Sequence, residues 1–172
     1  MRQSNPILFP DFESLGDGAA YADKIREVTP HNALFDDFNI DDLRQLGPFM
    51  QVYRAPAHAV IIAEGDHGDF MVFIIDGEVD VTKKDRWEMV KRIAVVLPGQ
   101  ALGEMSMIDG EARFATCAAI EPTTFAVLTR PALQQLINDQ PRIAGKIMMK
   151  LVFMLSQRLR QTSAKLVNYI EK

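Results

Sequence analysis

The residues best suited to chemistry lie in one segment, from Gly99 to Thr116. Glu104 carries a carboxylate and Arg113 a guanidinium, while Gly103 lets another backbone or a ligand come close. The turn signal Asp109-Gly110 reverses the chain between them, so that both can face one pocket. A carboxylate accepts from sugar hydroxyls, and a planar guanidinium donates two bonds to a phosphate. The pair is therefore a candidate clamp for a sugar phosphate, with a structural salt bridge as the open alternative.

Common catalytic patterns are missing from the sequence. His31, His58 and His67 form no His-x-x-x-His pair, and no Gly-x-Ser-x-Gly, Walker A or dinucleotide fingerprint occurs. Cys117 lies in an apolar strand segment and is typical of a core residue rather than a nucleophile. A cupin-like enzyme would need clustered histidine and carboxylate ligands, which three scattered histidines do not provide. We therefore expect no enzymatic activity and no metal site.

Composition predicts a single globular domain. The 172 residues are 48% hydrophobic and 24% charged, which matches a folded protein with one core. One cysteine cannot make an internal disulfide, and this indicates a reducing compartment. No run of 18 apolar residues and no signal sequence is present, so we expect a cytoplasmic location without membrane insertion.

The net charge of −4 is unevenly distributed. Residues 1–50 carry 4 basic against 9 acidic side chains, residues 51–141 carry 8 against 13, and residues 142–172 carry 7 against 1. An acidic protein is a poor partner for nucleic acid. The basic C-terminal segment is interpreted as a helix with a solvated polar face, with a nucleic-acid or anionic-membrane surface as the alternative.

Two short helices are predicted near the N-terminus. Residues 1–17 lack periodicity and are predicted to be an irregular lead-in. A helix from Ala19 to Val28 should stop at Thr29-Pro30, because the residue before proline avoids the α region. A second helix should be capped by Asn39 and end at Gly47-Pro48.

From Gln51 to Leu128 the period becomes that of strands, with turn signals at short intervals. Six strands are predicted between these turns: Val60–Ala63, Phe70–Ile75, Val79–Thr82, Val90–Leu97, Phe114–Ile120 and Thr124–Leu128. Short strands without helical crossovers indicate an antiparallel sandwich or jelly roll and disfavour a parallel α/β fold. The fold class is thus mainly β with flanking helices.

Helical periodicity returns after the strands. A short helix is predicted from Pro131 to Asn138, and a long one from Arg142 to about Ile170, which would reach about 43 Å. Its apolar positions are mostly three or four apart: Ile147, Leu151, Leu155, Leu159, Leu166 and Tyr169. Such a helix overhangs a small domain, so we expect a homodimer in which two copies cover the stripe.

The candidate clamp resembles a known motif. The run Gly103-Glu104-Met105-Ser106-Met107, followed by Arg113-Phe114-Ala115-Thr116, is similar to the phosphate-binding cassette of cyclic-nucleotide-binding domains. That family includes protein kinase A regulatory subunits and the bacterial catabolite activator protein. The likeness covers residues 34–170: Glu64-Gly65-Asp66 through Val79 resembles the first hairpins, and Arg158 to Lys165 resembles the long dimer helix.

The resemblance implies three regions and a set of site residues. These are an N-terminal, partly helical extension (1–30), a β-roll with flanking helices (31–141) and a lid or dimerisation helix (142–172). Glu104 would accept from the ribose 2′-hydroxyl and Arg113 would hold the cyclic phosphate. Backbone contacts would come from Gly103, Met105 and Ala115. The base and sugar pocket would be lined by Val81, Ile93 and Ala94. Thr162 and Ser163 would reach the adenine, one from its own subunit and one from the partner, or else be small polar residues in a helix seam.

Two departures from the family pattern bear on function. Phe114 stands where Ala, Ser or Thr usually follows the arginine, and the missing hydroxyl removes a feature that resembles cGMP selectivity. We therefore expect cAMP, with cGMP as the alternative ligand. The sequence ends at Lys172 without the helix-turn-helix domain of the activators, so direct DNA binding is not expected.

Two functional hypotheses follow. The first is a non-enzymatic bacterial cyclic-nucleotide receptor that signals through its C-terminal helix to an unidentified protein. The second is a degenerate family member that binds no nucleotide and serves as a dimeric interaction scaffold, because the Phe114 ring could fill part of the pocket.

Overall fold

Two antiparallel sheets form the centre of the molecule in a computed structural model that describes residues 8–31 and 33–170. The strands are β1 (Glu13–Asp17), β2 (Gln51–Ala55), β3 (Val60–Ile62), β4 (Phe70–Asp76), β5 (Val79–Lys84), β6 (Val90–Val96), β7 (Ala101–Leu102), β8 (Thr116–Ala119) and β9 (Thr123–Thr129). One sheet has the strand order β1-β2-β9-β4-β7 and the other the order β3-β8-β5-β6. The helices are α1 (Ala22–Val28), α2 (Ile40–Leu46), α3 (Glu104–Asp109), α4 (Arg130–Asp139) and α5 (Pro141–Ile170).

The predicted jelly-roll class with flanking helices is confirmed, as two packed sheets. Strand β4 shows why the sequence pattern is so apolar there. Met71 and Phe73 belong to the core shared with the helices, whereas Val72 and Ile74 belong to the core between the sheets. Successive side chains of a strand point to opposite faces of the sheet. A strand that is buried on both faces is therefore apolar at every position, not only at every second one.

The N-terminal lead-in contains a strand that the sequence did not predict. β1 pairs antiparallel with β2, with a register shift between Ser14 and Gly16. Gly16 has a φ of 92°, a conformation that suits glycine. Mostly exposed residues and an irregularity leave no alternating pattern, which is why this strand was missed. Residues 1–7 of the lead-in lie outside the described part.

The capped helix α2 is confirmed in detail. The Asn39 side chain accepts from the Asp42 amide at 2.8 Å, and the Asp42 carboxylate accepts from the Asn39 amide at 3.4 Å. This reciprocal arrangement satisfies two helix-end amides at once. α1 likewise ends before Thr29, as predicted.

Asp42 also anchors α5 to the N-terminal helices. Its carboxylate is fully buried and accepts from Arg142 at 2.5 Å and from Lys146 at 2.7 Å. Burial alone would raise the pKa of Asp42, but the hydrogen bonds from Lys146, Arg142 and the Asn39 amide together hold it below its ordinary value. One turn further on, Lys150 pairs with Asp36. The first basic residues of α5 therefore neutralise acidic residues of this chain.

α5 has two distinct apolar faces. The face toward its own domain is buried and consists of Ile143, Ala144, Ile147 and Leu151. The other is exposed and includes Met149, Val152, Leu159 and Leu166. Of the apolar positions predicted for this helix, Ile147 and Leu151 pack in the core of their own domain, whereas Leu159 and Leu166 are exposed. Leu155 is partly exposed, and the Tyr169 side chain lies outside the described residues.

A search of the described helices finds none that is both long and apolar enough to cross a membrane.

We expect the variant Asp42→Asn to lower the free energy of unfolding by about 2–4 kcal/mol at pH 7, because it leaves Arg142 and Lys146 without their buried negative partner. Since the pKa of Asp42 is lowered, its stabilisation is present above the ordinary carboxyl value of 3.8 and is lost as the pH falls below it. Urea unfolding from pH 7 to pH 3 should therefore show the difference from the wild type shrinking in acid.

The matched control is Asp41→Asn, which changes an exposed carboxylate on the same helix and should cost less than about 0.5 kcal/mol. Equal effects of the two substitutions would show that Asp42 is not an anchor.

Candidate functional site

The predicted clamp is built by a strand, a glycine, a short helix and a second glycine. Gly103 follows β7 with a φ of 82°, and α3 then carries Glu104 in its first turn. Gly110, with a φ of 80°, ends α3 and allows the chain to return to Arg113. Both glycines adopt the left-handed conformation that other residues avoid. Glu104 and Arg113 end up buried, with exposures of 1% and 4%.

Arg113 is held by backbone carbonyls. Its Nη1 donates to the Gly103 carbonyl and its Nη2 to the Phe70 carbonyl, both at 2.7 Å. The guanidinium also lies over the Phe70 ring, 4.4 Å from the centroid. Burial lowers the pKa of Arg113, while the charges of nearby Asp69 and Glu104 oppose that shift. The cation thus sits in a low-dielectric setting where an anion would be bound strongly.

Gly68 and Gly103 make room for this guanidinium. A Cβ added to Gly68 would lie 2.8 Å from Nη2 of Arg113, and one added to Gly103 would lie 2.9 Å from Nη1. Gly68 and Phe70 were not among the predicted site residues. In the sequence, Gly68 is a loop glycine and Phe70 is the first residue of a predicted strand. Neither feature indicates that this loop lies next to the phosphate-binding cassette.

Glu104 has one satisfied and one unsatisfied oxygen. Its Oε1 accepts from Nη1 of Arg158 on α5, and Nη2 of the same arginine reaches the Ala101 carbonyl at 3.3 Å. Its Oε2 is buried and has no hydrogen-bond partner among the described residues. The salt bridge that was the open alternative is therefore not formed, because Glu104 and Arg113 each bind elsewhere. A buried carboxylate oxygen without a donor is costly, and a ligand hydroxyl would satisfy it.

Phe114 does not fill the interior. Its ring is 56% exposed, with Nζ of Lys83 at 4.2 Å from its centroid. Lys83 also donates to the Phe114 carbonyl at 2.7 Å and to Glu64 at 2.8 Å. These contacts connect β5 and the turn after β3 to the end of the cassette. Lys83 was not among the predicted site residues.

The remaining predicted residues are placed unevenly. Val81 packs against the inter-sheet core and pairs with Ala94 across the β5 and β6 ladder, whereas Ile93 sits at an irregularity and is half exposed. Thr162 and Ser163 are exposed on α5, one turn beyond Arg158. Within the cassette Ala115 is buried, and the Met105 side chain is half exposed. Arg158, which does reach the cassette, was missed.

Cys117 is a core residue, as predicted. It is buried on β8, and burial raises the pKa of its thiol to about 11. A thiol with so little thiolate at neutral pH is a poor nucleophile. In the described parts of the chain, no group of histidine, cysteine and carboxylate side chains could hold a metal ion.

Comparisons with known proteins identify the family of this fold. The family model described as "Cyclic nucleotide-binding domain" matches residues 53–140. A crystal structure of a cyclic nucleotide-binding domain from Methylobacillus flagellatus is 39% identical with a TM-score of 0.82, and the match covers 92% of this chain and 89% of that one. The chain belongs to the cyclic nucleotide-binding domain family, which consists of regulatory modules that are typically non-enzymatic.

Two further relatives show how the domain is used in longer proteins. The Thermus thermophilus catabolite activator protein is 26% identical with a TM-score of 0.71, over 77% of this chain and 61% of that one. A cyclic nucleotide-gated potassium channel of Mesorhizobium japonicum is 34% identical over 109 residues, which are 59% of this chain and 29% of the channel. The chain thus spans under a third of that channel.

We expect Gly68→Ala to lower the free energy of unfolding by about 1–3 kcal/mol, because the added methyl group would displace the held guanidinium of Arg113. The matched control is Gly145→Ala on α5. A Cβ at this position meets no atom within 4 Å, and alanine favours a helix over glycine, so the free energy of unfolding should rise by up to about 1 kcal/mol. Thermal or urea unfolding measures both. Changes of the same sign would contradict the close fit around Arg113.

Proposed function

We propose that the chain is a non-enzymatic cyclic-nucleotide receptor module that binds its ligand between Glu104 and Arg113. The buried Oε2 of Glu104, which has no hydrogen-bond partner in the described part of the chain, is the observation that carries this proposal. A buried acceptor in that state is satisfied by one further hydrogen-bond donor, and the neighbouring Oε1 is already paired with Arg158. A ribose hydroxyl is such a donor.

Arg113 supplies the complementary contact for the phosphate. A guanidinium has five N–H donors, and the carbonyls of Gly103 and Phe70 engage two of its nitrogens. An anionic phosphate oxygen is a stronger partner than a neutral carbonyl, so the exchange of partners favours the ligand. Backbone contacts from Gly103, Met105 and Ala115 complete the cassette in this proposal.

cAMP is the ligand we favour over cGMP. The residue after the arginine, Phe114, offers no hydroxyl for a guanine base. Its ring is exposed, and the Lys83 ammonium lies 4.2 Å from the ring centroid. Val81, Ile93 and Ala94 would form the wall against the base.

The ligand signal would leave the domain through α5. Arg158 connects α5 directly to the carboxylate that takes the ribose, and Thr162 and Ser163 follow on the next turn. A ligand shifts a conformational equilibrium only by its differential contacts with the two states. Contacts to Glu104 and to these hydroxyls supply that difference, and an unidentified downstream protein would read the change.

The exposed face of α5 is proposed to pair with a second copy. Met149, Ser156 and Ser163 repeat every seven residues, as do Val152, Leu159 and Leu166. The second series fits the apolar d positions of a coiled coil, and the first places one methionine and two small polar residues at the a positions. Both series lie away from the face that packs on the domain. The 142–172 segment would then be the dimerisation helix of a β-roll made by residues 31–141, with 1–30 as an extension. A buried, reduced thiol at Cys117 fits a cytoplasmic protein.

The second candidate function is an interaction scaffold that binds no nucleotide. It is favoured by one observation: Arg113 already has two carbonyl partners and Oε1 of Glu104 already has Arg158, so both side chains have hydrogen-bond partners within the chain. If the protein is such a scaffold, the exposed apolar stripe of α5 is its interaction surface.

Calorimetric titration with cAMP and then cGMP, after removal of carried nucleotide by unfolding and refolding, tests the receptor. We expect micromolar or tighter binding of cAMP, a loss of at least about 100-fold in Arg113→Ala and a smaller loss in Glu104→Gln. Circular dichroism of each variant checks the fold.

The matched control is Arg92→Ala, which removes a guanidinium that donates at 2.7 and 2.8 Å to Asp80 on the β5 and β6 hairpin. It should bind cAMP like the wild type. Unchanged affinity in Arg113→Ala would reject the assigned pocket, and no binding of either nucleotide to the wild type would favour the scaffold.

For the dimer, we expect Leu159→Asp to shift the protein to monomer in sedimentation velocity, because it places a charge in the exposed stripe. Leu159 is 69% exposed in the single chain, so the substitution leaves the core untouched. Gln161→Asp on the same helix lies off the stripe and serves as the control. An unchanged profile for Leu159→Asp would show that this face is not the interface.

A further inference from the structure

Arg130 lies outside the predicted clamp, yet its side chain reaches the cassette helix. It is the first residue of α4 and is half-buried. Its Nε donates to the Met107 carbonyl at 2.6 Å, and its Nη2 donates to the Ser106 carbonyl at 3.0 Å. One guanidinium therefore takes two carbonyls from the last turn of α3.

α3 needs such a partner because it is only six residues long. A helix of this length is not stable alone, and its last carbonyls have no partners within the helix. The Gly110 amide donates to the Ser106 carbonyl at 3.0 Å, which leaves the Met107 carbonyl to Arg130. A cation at the C-terminal end of a helix is also stabilised by the negative pole of the helix dipole.

The guanidinium is delivered from a fixed backbone. The Arg130 amide donates to the Asp69 carbonyl at 2.6 Å, and the Ala132 amide donates to Oγ1 of Thr129 at 3.1 Å. The start of α4 is thus tied both to the loop before β4 and to its own cap. Asp69 directly precedes Phe70, whose carbonyl holds Arg113.

α4 and α5 complete a closed path around the site. Only Gln140 separates the two helices, and α5 returns Arg158 to Glu104. α3 is therefore joined to the C-terminal helices at both ends, by Arg130 at its last turn and by Arg158 at its first.

We propose that Arg130 is a positioning residue, which fixes α3 against α4 so that Glu104 stays in reach of both Arg158 and the ligand. The link to Arg158 stands on the geometry of the ligand-free chain, and the link to affinity rests on the proposed function. Arg130 itself does not touch the nucleotide in this scheme.

Amide hydrogen exchange of nucleotide-free protein tests the first link. We expect Arg130→Ala to speed exchange in α3 and around Arg158 by at least about tenfold, while β4 and β9 keep their wild-type rates. Arg130→Lys should recover part of the protection, because an ammonium can serve one of the two carbonyls. The control Arg92→Ala, which also removes a doubly bonded guanidinium, should leave α3 unchanged.

Titration with cAMP tests the second link through a double-substitution cycle. Arg130→Ala should weaken cAMP binding by about tenfold, and Arg158→Ala should cost less in the Arg130→Ala background than in the wild type, because the two act on one carboxylate. Independent, multiplicative losses would overturn the positioning role. So would unchanged exchange in α3, or exchange that rises equally in β4 and β9, since that would mark a general loss of stability.

The two links fail separately. If the wild type binds neither cAMP nor cGMP, the proposed function is rejected, and the exchange rates still decide whether Arg130 holds α3 in place.

Discussion

A buried carboxylate that is only half satisfied is the constraint on which the rest of the structure depends. Glu104 is held in the interior by a short helix that could not persist unaided, with one oxygen paired and the other open. The neighbouring glycines, Arg113 and α5 together keep this carboxylate in place. Glycines permit the two sharp turns, Arg113 occupies a space kept free by Gly68, and α5 brings a cation from the far end of the chain. The interior is arranged around opposite charges that do not neutralise each other directly, and this separation is what leaves both available.

α5 serves two surfaces at once. Its buried face completes the core, and its basic residues near the start pair with the carboxylates of the N-terminal helices. The same helix then extends beyond the sheets with an apolar stripe on the other side. Because the two faces are about opposite, a partner could be added without disturbing the fold of either copy.

Much of this could be predicted from the sequence, for physical reasons. Strong turn residues and alternating or continuous apolar runs marked the strands, and the Asn39 cap marked α2, because these are local signals. Glu104 and Arg113 could be found because their spacing is local as well. Arg158, Arg130 and Gly68 were missed since each meets the site across a long sequence separation, which no period records. β1 was missed for the opposite reason: mostly exposed residues need no pattern when the pairing comes from the backbone of β2.

The anchoring of α5 at one end makes it a lever. Among its described side chains the last buried one is that of Leu151, and the helix continues to Ile170, a length of roughly 28 Å at 1.5 Å per residue. Arg158 touches the site about a third of the way along that arm. A displacement of Arg158 by one ångström would therefore move the tip by about three, by simple proportion. The ion pairs of Asp42 with Arg142 and Lys146 hold the helix before this point, so the gain in amplitude is set by where along the helix the site makes contact.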